Sequence, residues 1–338
     1  MINNLSMFGN TLGSGVLKRD PQDFQVNELI RFEPEGQGDH LYLYVQKISA
    51  NTEWVQKQLA KLAGVAAKEI GYAGLKDRHA VTRQWFSVYS PHADIDFSEL
   101  PEGISIVSQT RGQRKLKTPA VLGNEFKLKI YMPEIDKDVL EKRLVQIQKV
   151  GYPNFFGQQR FGFDGKNVEK LIGLAKGKRC KPQQRGIYIS AGRSYLFNVM
   201  LNERVRENTW NQWIDGDVAI LNATRSIFPV EEVDDEIQQR LKSFDVHPAL
   251  PLYGSGEWPS TAKQRELESR VYAQHPDILH ALEKLRVDIM PRASRVLPVD
   301  MHWAIKASEL DVQFTLTAGS FATTLLEQLF TLEEPERN

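Results

Sequence analysis

The densest run of potentially reactive side chains is Gly74-Leu75-Lys76-Asp77-Arg78-His79-Ala80-Val81-Thr82-Arg83-Gln84-Trp85. Asp77 stands between two cations, Lys76 and Arg78, with a third at Arg83. Nearby positive charge favours an ionised carboxylate, and an ionised carboxylate can act as a nucleophile. The same residues also read as a surface salt-bridge cluster, which contributes little to stability. Taken alone, the run favours that second reading.

Other chemistries find little support. None of His40, His79, His92, His247, His275, His280 and His302 forms HxH or HExxH. His275 and His280 are five apart and fall on different faces of a helix, which speaks against zinc. There is no GxSxG elbow for serine hydrolysis. The glycines of GLAKGKR (173–179) have the wrong spacing for a phosphate loop and lack the following Ser or Thr, so a helix end and a basic loop are expected. GSGEW (254–258) reads as a turn. Cys180 lies among Lys178, Arg179 and Lys181, which could lower its pKa, but with no His–Asn partner a bystander thiol is the better reading.

The elements that would carry these residues follow from periodicity. Residues 23–32 and 40–48 read as strands, the second with Leu41, Leu43 and Val45 alternating with Tyr42, Tyr44 and Gln46. A helix is expected at 52–63, capped by Asn51 or Thr52 and ended by Gly64. The segment 71–83 is loop-like and leads into a strand at 84–90. Another strand, 125–132, places Phe126, Leu128, Ile130 and Met132 on one face. Helical patterns follow at 136–149, 166–176, 194–206 and 264–286. A strand at 311–317 and a short helix at 325–330 close the chain. Strand character at both ends with a helical middle fits a domain interrupted by an insertion, or two consecutive domains.

The 338 residues are 41% hydrophobic and 25% charged, ordinary globular values. Two domains are expected at roughly 100–200 residues each. A mean hydropathy of −0.41 and the lack of an apolar run near 18 residues (about one membrane span) exclude a transmembrane helix. The N-terminus resembles no signal peptide. A single cysteine excludes a disulfide framework and fits a reducing cytoplasm. Formal net charge is zero, yet it is unevenly spread. Residues 1–140 carry 17 basic and 17 acidic side chains, 141–206 carry 14 and 4, and 207–338 carry 12 and 22. The cationic middle suggests a polyanionic partner, against the alternative that it pairs with the acidic third inside the fold.

The sequence resembles the TruD family of tRNA pseudouridine synthases. GLKDRHAVTRQW matches that family's signature around its nucleophilic aspartate, G-x-K-D-[RK]-x-A-x-T-x-Q. Five further segments match in order. They are Lys18–Glu28 (K-x-x-P-x-D-F-x-V-x-E), Gly123–Phe126 (G-N-x-F), Pro153–Gly162 (P-N-[YF]-F-G-x-Q-R-F-G), Ser190–Asn198 (S-A-x-R-S-x-L-F-N) and Ala318–Thr323 (A-G-S-F-A-T). Together they reach from residue 18 to residue 323.

The resemblance implies an α+β protein. It would have a pseudouridine synthase fold on a mixed, mainly antiparallel sheet, interrupted by an inserted α/β TruD-specific domain. Residues 1–150 and 298–338 would form the catalytic domain and 151–297 the insertion. The implied reaction isomerises uridine 13 in the D-arm of tRNA after flipping it out. No cofactor is needed, because no atom is added and no redox change occurs. The implied roles are Asp77 as nucleophile, Lys18 as its charge partner, and Phe24 and Phe321 as uracil contacts. Asn124 would bond the base edge and Phe126 would line the same pocket. A base–aromatic stack is worth roughly 1–3 kcal/mol. Arg111, Arg114, Lys115, Lys117, Lys178 and Arg179 are candidate phosphate contacts. The Pro153–Gly162 motif reads as structural. A monomer acting in the cytoplasm is expected. Two rivals remain: an RNA-binding or RNA-chaperone protein that keeps the fold without catalysis, and a hydrolase that releases the base. The second would need a positioned water and usually a second carboxylate, and the matched motifs offer no evident candidate for the latter.

Overall fold

The expected alternation at 40–48 is realised as a strand whose Leu41, Leu43 and Val45 are buried. It crosses the middle of a sheet in a computed structural model that describes residues 3–91, 95–117 and 120–335, Gln183 by its backbone alone. In chain order the structure begins with β1 (Ser14–Leu17), β2 (Phe24–Ile30), β3 (His40–Ile48), α1 (Thr52–Leu62), β4 (Gly71–Tyr72), β5 (Val81–Tyr89), β6 (Ile104–Gly112) and β7 (Val121–Tyr131). Next come α2 (Lys137–Val150), β8 (Tyr152–Pro153), α3 (Lys166–Ala175), α4 (Pro182–Arg206), β9 (Val218–Leu221), β10 (Ile227–Pro229), α5 (Asp235–Lys242) and β11 (Val246–Leu252). The chain ends with α6 (Ala262–Ala273), α7 (Pro276–Lys284), β12 (Met290–Ala293), β13 (Arg295–Val296), β14 (Val299–Ile305), β15 (Glu309–Thr317), α8 (Ala322–Leu326) and β16 (Thr331–Glu333).

The chain divides into two compact units. One comprises Gly13–Val139, Pro298–Gly319 and Thr331–Asn338. It holds a ten-stranded sheet ordered β14-β15-β7-β2-β5-β3-β6, with β4 on β5 and with β1 joined to β7 and β16. The β2–β5 and β1–β16 pairs are parallel and the rest antiparallel. The sheet is thus mixed and mainly antiparallel. Helix α1 covers one face of β3 and β5, its Val55 and Leu59 packing with Leu41, Leu43, Val45, Phe86 and Val88. That apolar stripe at helical spacing is why α1 forms. Asn51 occupies the cap position without a side-chain bond, whereas the hydroxyl of Thr52 is used elsewhere, as described below.

The other unit comprises Met1–Leu12, Leu140–Leu297 and Ser320–Phe330. It combines helices with a four-stranded sheet, β10-β9-β11-β12, and a β8–β13 pair. The fold is α+β. The helix expected at 264–286 is two, α6 and α7, because Pro276 lacks the N–H an unbroken helix would need and instead opens α7. Helix α4 starts twelve residues before the expected 194, at Pro182. The closing helix lies at Ala322–Leu326, earlier than expected.

Candidate functional site

Within the ten-stranded unit, strand register gathers the candidate residues of β2 and β7 on one face. Glu28 lies opposite Asn124, Val26 opposite Phe126, and Phe24 opposite Leu128. On the other side of β7, Leu316 lies opposite Asn124 and Phe314 opposite Phe126. Alternation sends all these side chains to the same side. Phe24 and Phe126 are buried, with ring centroids 6.3 Å apart at 78°, and Phe314 stands 5.6 Å from Phe126. Gly123 permits the close approach of β15: a Cβ there would lie 2.3 Å from the Leu316 carbonyl oxygen. Beside it, Asn124 Oδ1 is buried with no hydrogen-bond partner among the described residues.

Lys18 enters this face from the end of β1. Its backbone has φ +56°, a strained region for a residue with a Cβ. The following turn is shaped by Asp23, whose carboxylate accepts from Asp20 N at 2.8 Å. The Lys18 side chain is almost wholly buried. Its Nζ lies 4.6 Å over the Phe24 ring, 2.9 Å from Glu334 Oε1 and 3.8 Å from Asp77 Oδ1.

The loop that carries Asp77 is fixed residue by residue. Gly74 O accepts from Gln84 Nε2 at 3.0 Å. Lys76 N donates to Thr52 Oγ1 at 3.1 Å, and that hydroxyl donates to Gln84 Oε1 at 2.8 Å. Lys76 Nζ lies 2.5 Å from Glu28 Oε2, while Glu28 Oε1 accepts from Trp85 N at 3.0 Å. Asp77 O accepts from Lys47 Nζ at 2.7 Å. Glu28, Lys47, Thr52 and Gln84 are all buried. By contrast the Asp77 carboxylate is 35% exposed and faces Lys18. A rigid backbone thus presents an accessible carboxylate to a buried cation, the arrangement a nucleophile requires.

Burial pushes the Lys47 amine down to about 8, aided by the positive charge of Lys76 and opposed by the negative charge of Asp77. The resemblance did not name Glu28, Lys47, Thr52 or Gln84 as functional. The sequence does hold a signal for three of them. Lys47 continues the apolar phase Leu41, Leu43, Val45; Glu28 continues Phe24, Val26; Gln84 shares the phase of Phe86 and Val88. A polar residue in a core phase needs a partner, and here the partner is the Asp77 loop.

Phe321 belongs to the other unit, at the N-cap of α8. Its ring stands 5.9 Å from Phe156, and the Arg160 guanidinium lies 5.6 Å over it. Three of the matched motifs meet here. Asn198 of α4 donates to Phe156 O and accepts from Phe156 N, both at 2.9 Å, and Gly157 lies against the Phe321 ring. Phe155, Phe156 and Phe161 are buried in one apolar cluster with Phe197, as a structural motif would be.

The basic candidates divide by engagement. Arg111 donates to Ser90 O at 2.8 Å and Gly38 O at 3.4 Å, and Lys115 donates to Lys68 O. Arg114, Lys117, Lys178 and Arg179 are exposed. Among the described residues no group of three His, Cys, Asp or Glu side chains could hold a metal ion; His92 lies outside them. Cys180 is half-buried and free. No helix among the described residues is long and apolar enough to cross a membrane.

The family model described as tRNA pseudouridine synthase D (TruD) matches residues 7–179 and 174–329. A tRNA pseudouridine synthase D from Hydrogenovibrio crunogenus is 42% identical over 329 residues, 96% of this chain and 94% of the relative. One from Methylococcus capsulatus is 38% identical over 326 residues, 95% of this chain and 92% of the relative. A Methanosarcina mazei crystal structure described as TruD superposes with a TM-score of 0.71 over 97% of this chain and 96% of that one, at 18% identity, a likeness of fold. With matches that span both units and every motif around Asp77, the chain belongs to the tRNA pseudouridine synthase D (TruD) family.

Proposed function

We propose that the protein converts uridine 13 of tRNA to pseudouridine, with Asp77 as nucleophile acting on a flipped-out base. Membership of the family makes it a tRNA pseudouridine synthase, an isomerase; the position, the nucleophile and the flipping are the finer reading. The observation that carries it is the Asp77 loop, clamped by buried polar side chains while its carboxylate stays accessible 3.8 Å from Lys18. We assign residues 1–150 and 298–338 to the catalytic domain, which takes in the whole ten-stranded unit together with Met1–Leu12, the stretch 140–150 and Ser320–Phe330 of the other unit, and residues 151–297 to the inserted TRUD domain.

The reaction breaks the bond between ribose C1′ and uracil N1 and forms one between C1′ and C5. The C5 hydrogen leaves as a proton and N1, freed from C1′, takes one up, so atoms balance with no co-reactant. Asp77 supplies the electron pair of a transient adduct and regains it when the product forms. Lys18 holds positive charge beside it throughout. The detached uracil is kept in place by Phe24 and Phe126. The Asn124 Oδ1 suits the uracil N3–H, which would satisfy a buried acceptor without a partner among the described residues.

The test is tritium release from tRNA carrying [5-³H]uridine, comparing wild type with Asp77→Ala. Each isomerisation must release the C5 tritium. Wild type is expected to release it and the variant to bind tRNA while releasing none. Sequencing the modified position decides whether uridine 13 is the target. Binding without release by wild type would favour the RNA-binding reading, and free uracil in the products would favour the hydrolase.

A further inference from the structure

We propose that Lys47 is a positioning residue that fixes the backbone of Asp77 and thereby aims its carboxylate. The proposal rests on the reading of Asp77 as nucleophile and adds a residue to that site. Lys47 lies one position before the end of β3 and is fully buried. Its ammonium is not spent on a carboxylate. It donates to Ala50 O at 2.7 Å and to Asp77 O at 2.7 Å. One cation thus ties the turn between β3 and α1 to the loop that follows β4. A buried charge is costly, and a hydrophobe of similar volume often serves a core as well or better. What a hydrophobe cannot do is hold two carbonyls at fixed points.

The groups around Lys47 sharpen the argument. Across the sheet it faces Thr82 of β5 and Ile104 of β6, both uncharged. Helix α1, which packs on this face of the sheet, buries Thr52, Val55, Leu59 and Ala60, all uncharged. The charges that act on it are Asp77 and Lys76, both in the loop it holds, and Lys76 is itself paired with Glu28 of β2. Asp77 O is two bonds from the Cα that directs the carboxylate, so losing its anchor frees the side chain's origin. A misplacement of about 1 Å at a reacting group can cost on the order of a hundredfold in rate.

The experiment is single-turnover pseudouridine formation on tRNA with saturating enzyme, from pH 6 to pH 10. It compares wild type, Lys47→Met, Lys47→Arg and Asp77→Ala. The protonated amine makes the charge-assisted bonds, and burial places its titration at about 8. The wild-type rate is therefore expected to be level at neutral pH and to fall as pH rises through about 8. Lys47→Met is expected to be at least about tenfold slower at pH 7, with tRNA affinity unchanged and no such alkaline fall. Lys47→Arg is expected to recover much of the rate and to carry its alkaline limb beyond the range measured. A Lys47→Met enzyme with wild-type rate, or one that keeps the same alkaline limb, overturns the proposal. So does a loss of rate matched by an equal loss of tRNA affinity. If Lys47→Met does not fold, the wild-type profile and its displacement in Lys47→Arg decide. An active Asp77→Ala would instead overturn the nucleophile reading, which keeps the two failures apart.

Discussion

Asn124 carries its amide oxygen into a buried face and finds no partner there among the described residues. A buried acceptor left unsatisfied costs about 1–3 kcal/mol, so its retention points to a partner supplied by the substrate. This separates function from stability in one substitution. Asn124→Ala removes the idle oxygen along with little packing, and the melting temperature is expected to stay level or rise slightly. Turnover is expected to fall about tenfold or more, the cost of one base-edge hydrogen bond in a closed site at about 1.4 kcal/mol per decade. Thermal unfolding and single-turnover kinetics on the same samples check it. A clear loss of stability with unchanged turnover would make Asn124 a fold residue. Lys18 belongs to the same class of side chain. It holds a left-handed backbone and lies nearer Glu334 than Asp77, a strained conformation that the surrounding turn and the Phe24 ring enforce.

At the scale of elements, β7 does most to assemble the site, because it pairs with both β2 and β15 and carries Asn124 and Phe126 between them. Its vulnerable point is Gly123. In Gly123→Ala the new Cβ would meet the Leu316 carbonyl oxygen at 2.3 Å, backbone against backbone, so the two strands must separate. The expected cost is about 1–3 kcal/mol, read as an earlier unfolding transition, together with a fall in turnover because Asn124 moves with the strand. A Gly123→Ala enzyme as stable and as fast as wild type would show that β15 yields without disturbing β7.

The same strands show what the sequence made legible. Alternation disclosed β3 and β7, and helical spacing disclosed α1, because each buries one face more completely than the other. Strand β6 escaped because it is an edge strand with only its two end residues buried, so Ser and Gln interrupt its pattern. Strand β11 was hidden by Pro248 and Pro251, which ordinarily argue against a central strand, although it pairs with both β9 and β12. At the site, Asp77, Lys18 and Asn124 came from the resemblance. The clamp beneath Asp77 could not be paired from sequence, because Glu28, Lys47, Thr52 and Gln84 come from three strands and a helix. Their contacts are set by register, which a one-dimensional pattern leaves open. Only their placement in core phases was visible.

For the whole molecule the charge distribution is the remaining lever. A formal net charge of zero conceals +10 over residues 141–206 and −10 over residues 207–338. The +10 does not act as a single block, since Arg204 is locked inside the fold by Asp217 at 2.7 Å. Cations that release counterions from RNA must be exposed and unengaged, which selects Arg114, Lys117, Lys178 and Arg179 over Arg111 and Lys115. Each phosphate contact removed is expected to reduce the slope of log affinity against log salt by about 1. The double substitutions Arg114→Ala/Lys117→Ala and Lys178→Ala/Arg179→Ala are therefore each expected to flatten that slope by about 1–2, weakening tRNA binding most at low salt. Arg111→Ala is expected to leave the slope unchanged and to lower thermal stability, because its guanidinium holds the Ser90 and Gly38 carbonyls instead of phosphate. Titrations of tRNA across a range of KCl concentrations distinguish the three proteins. Were Arg111→Ala the one to flatten the slope, the internal hydrogen bonds would have to open on binding, and the RNA path would run along the edge strand β6.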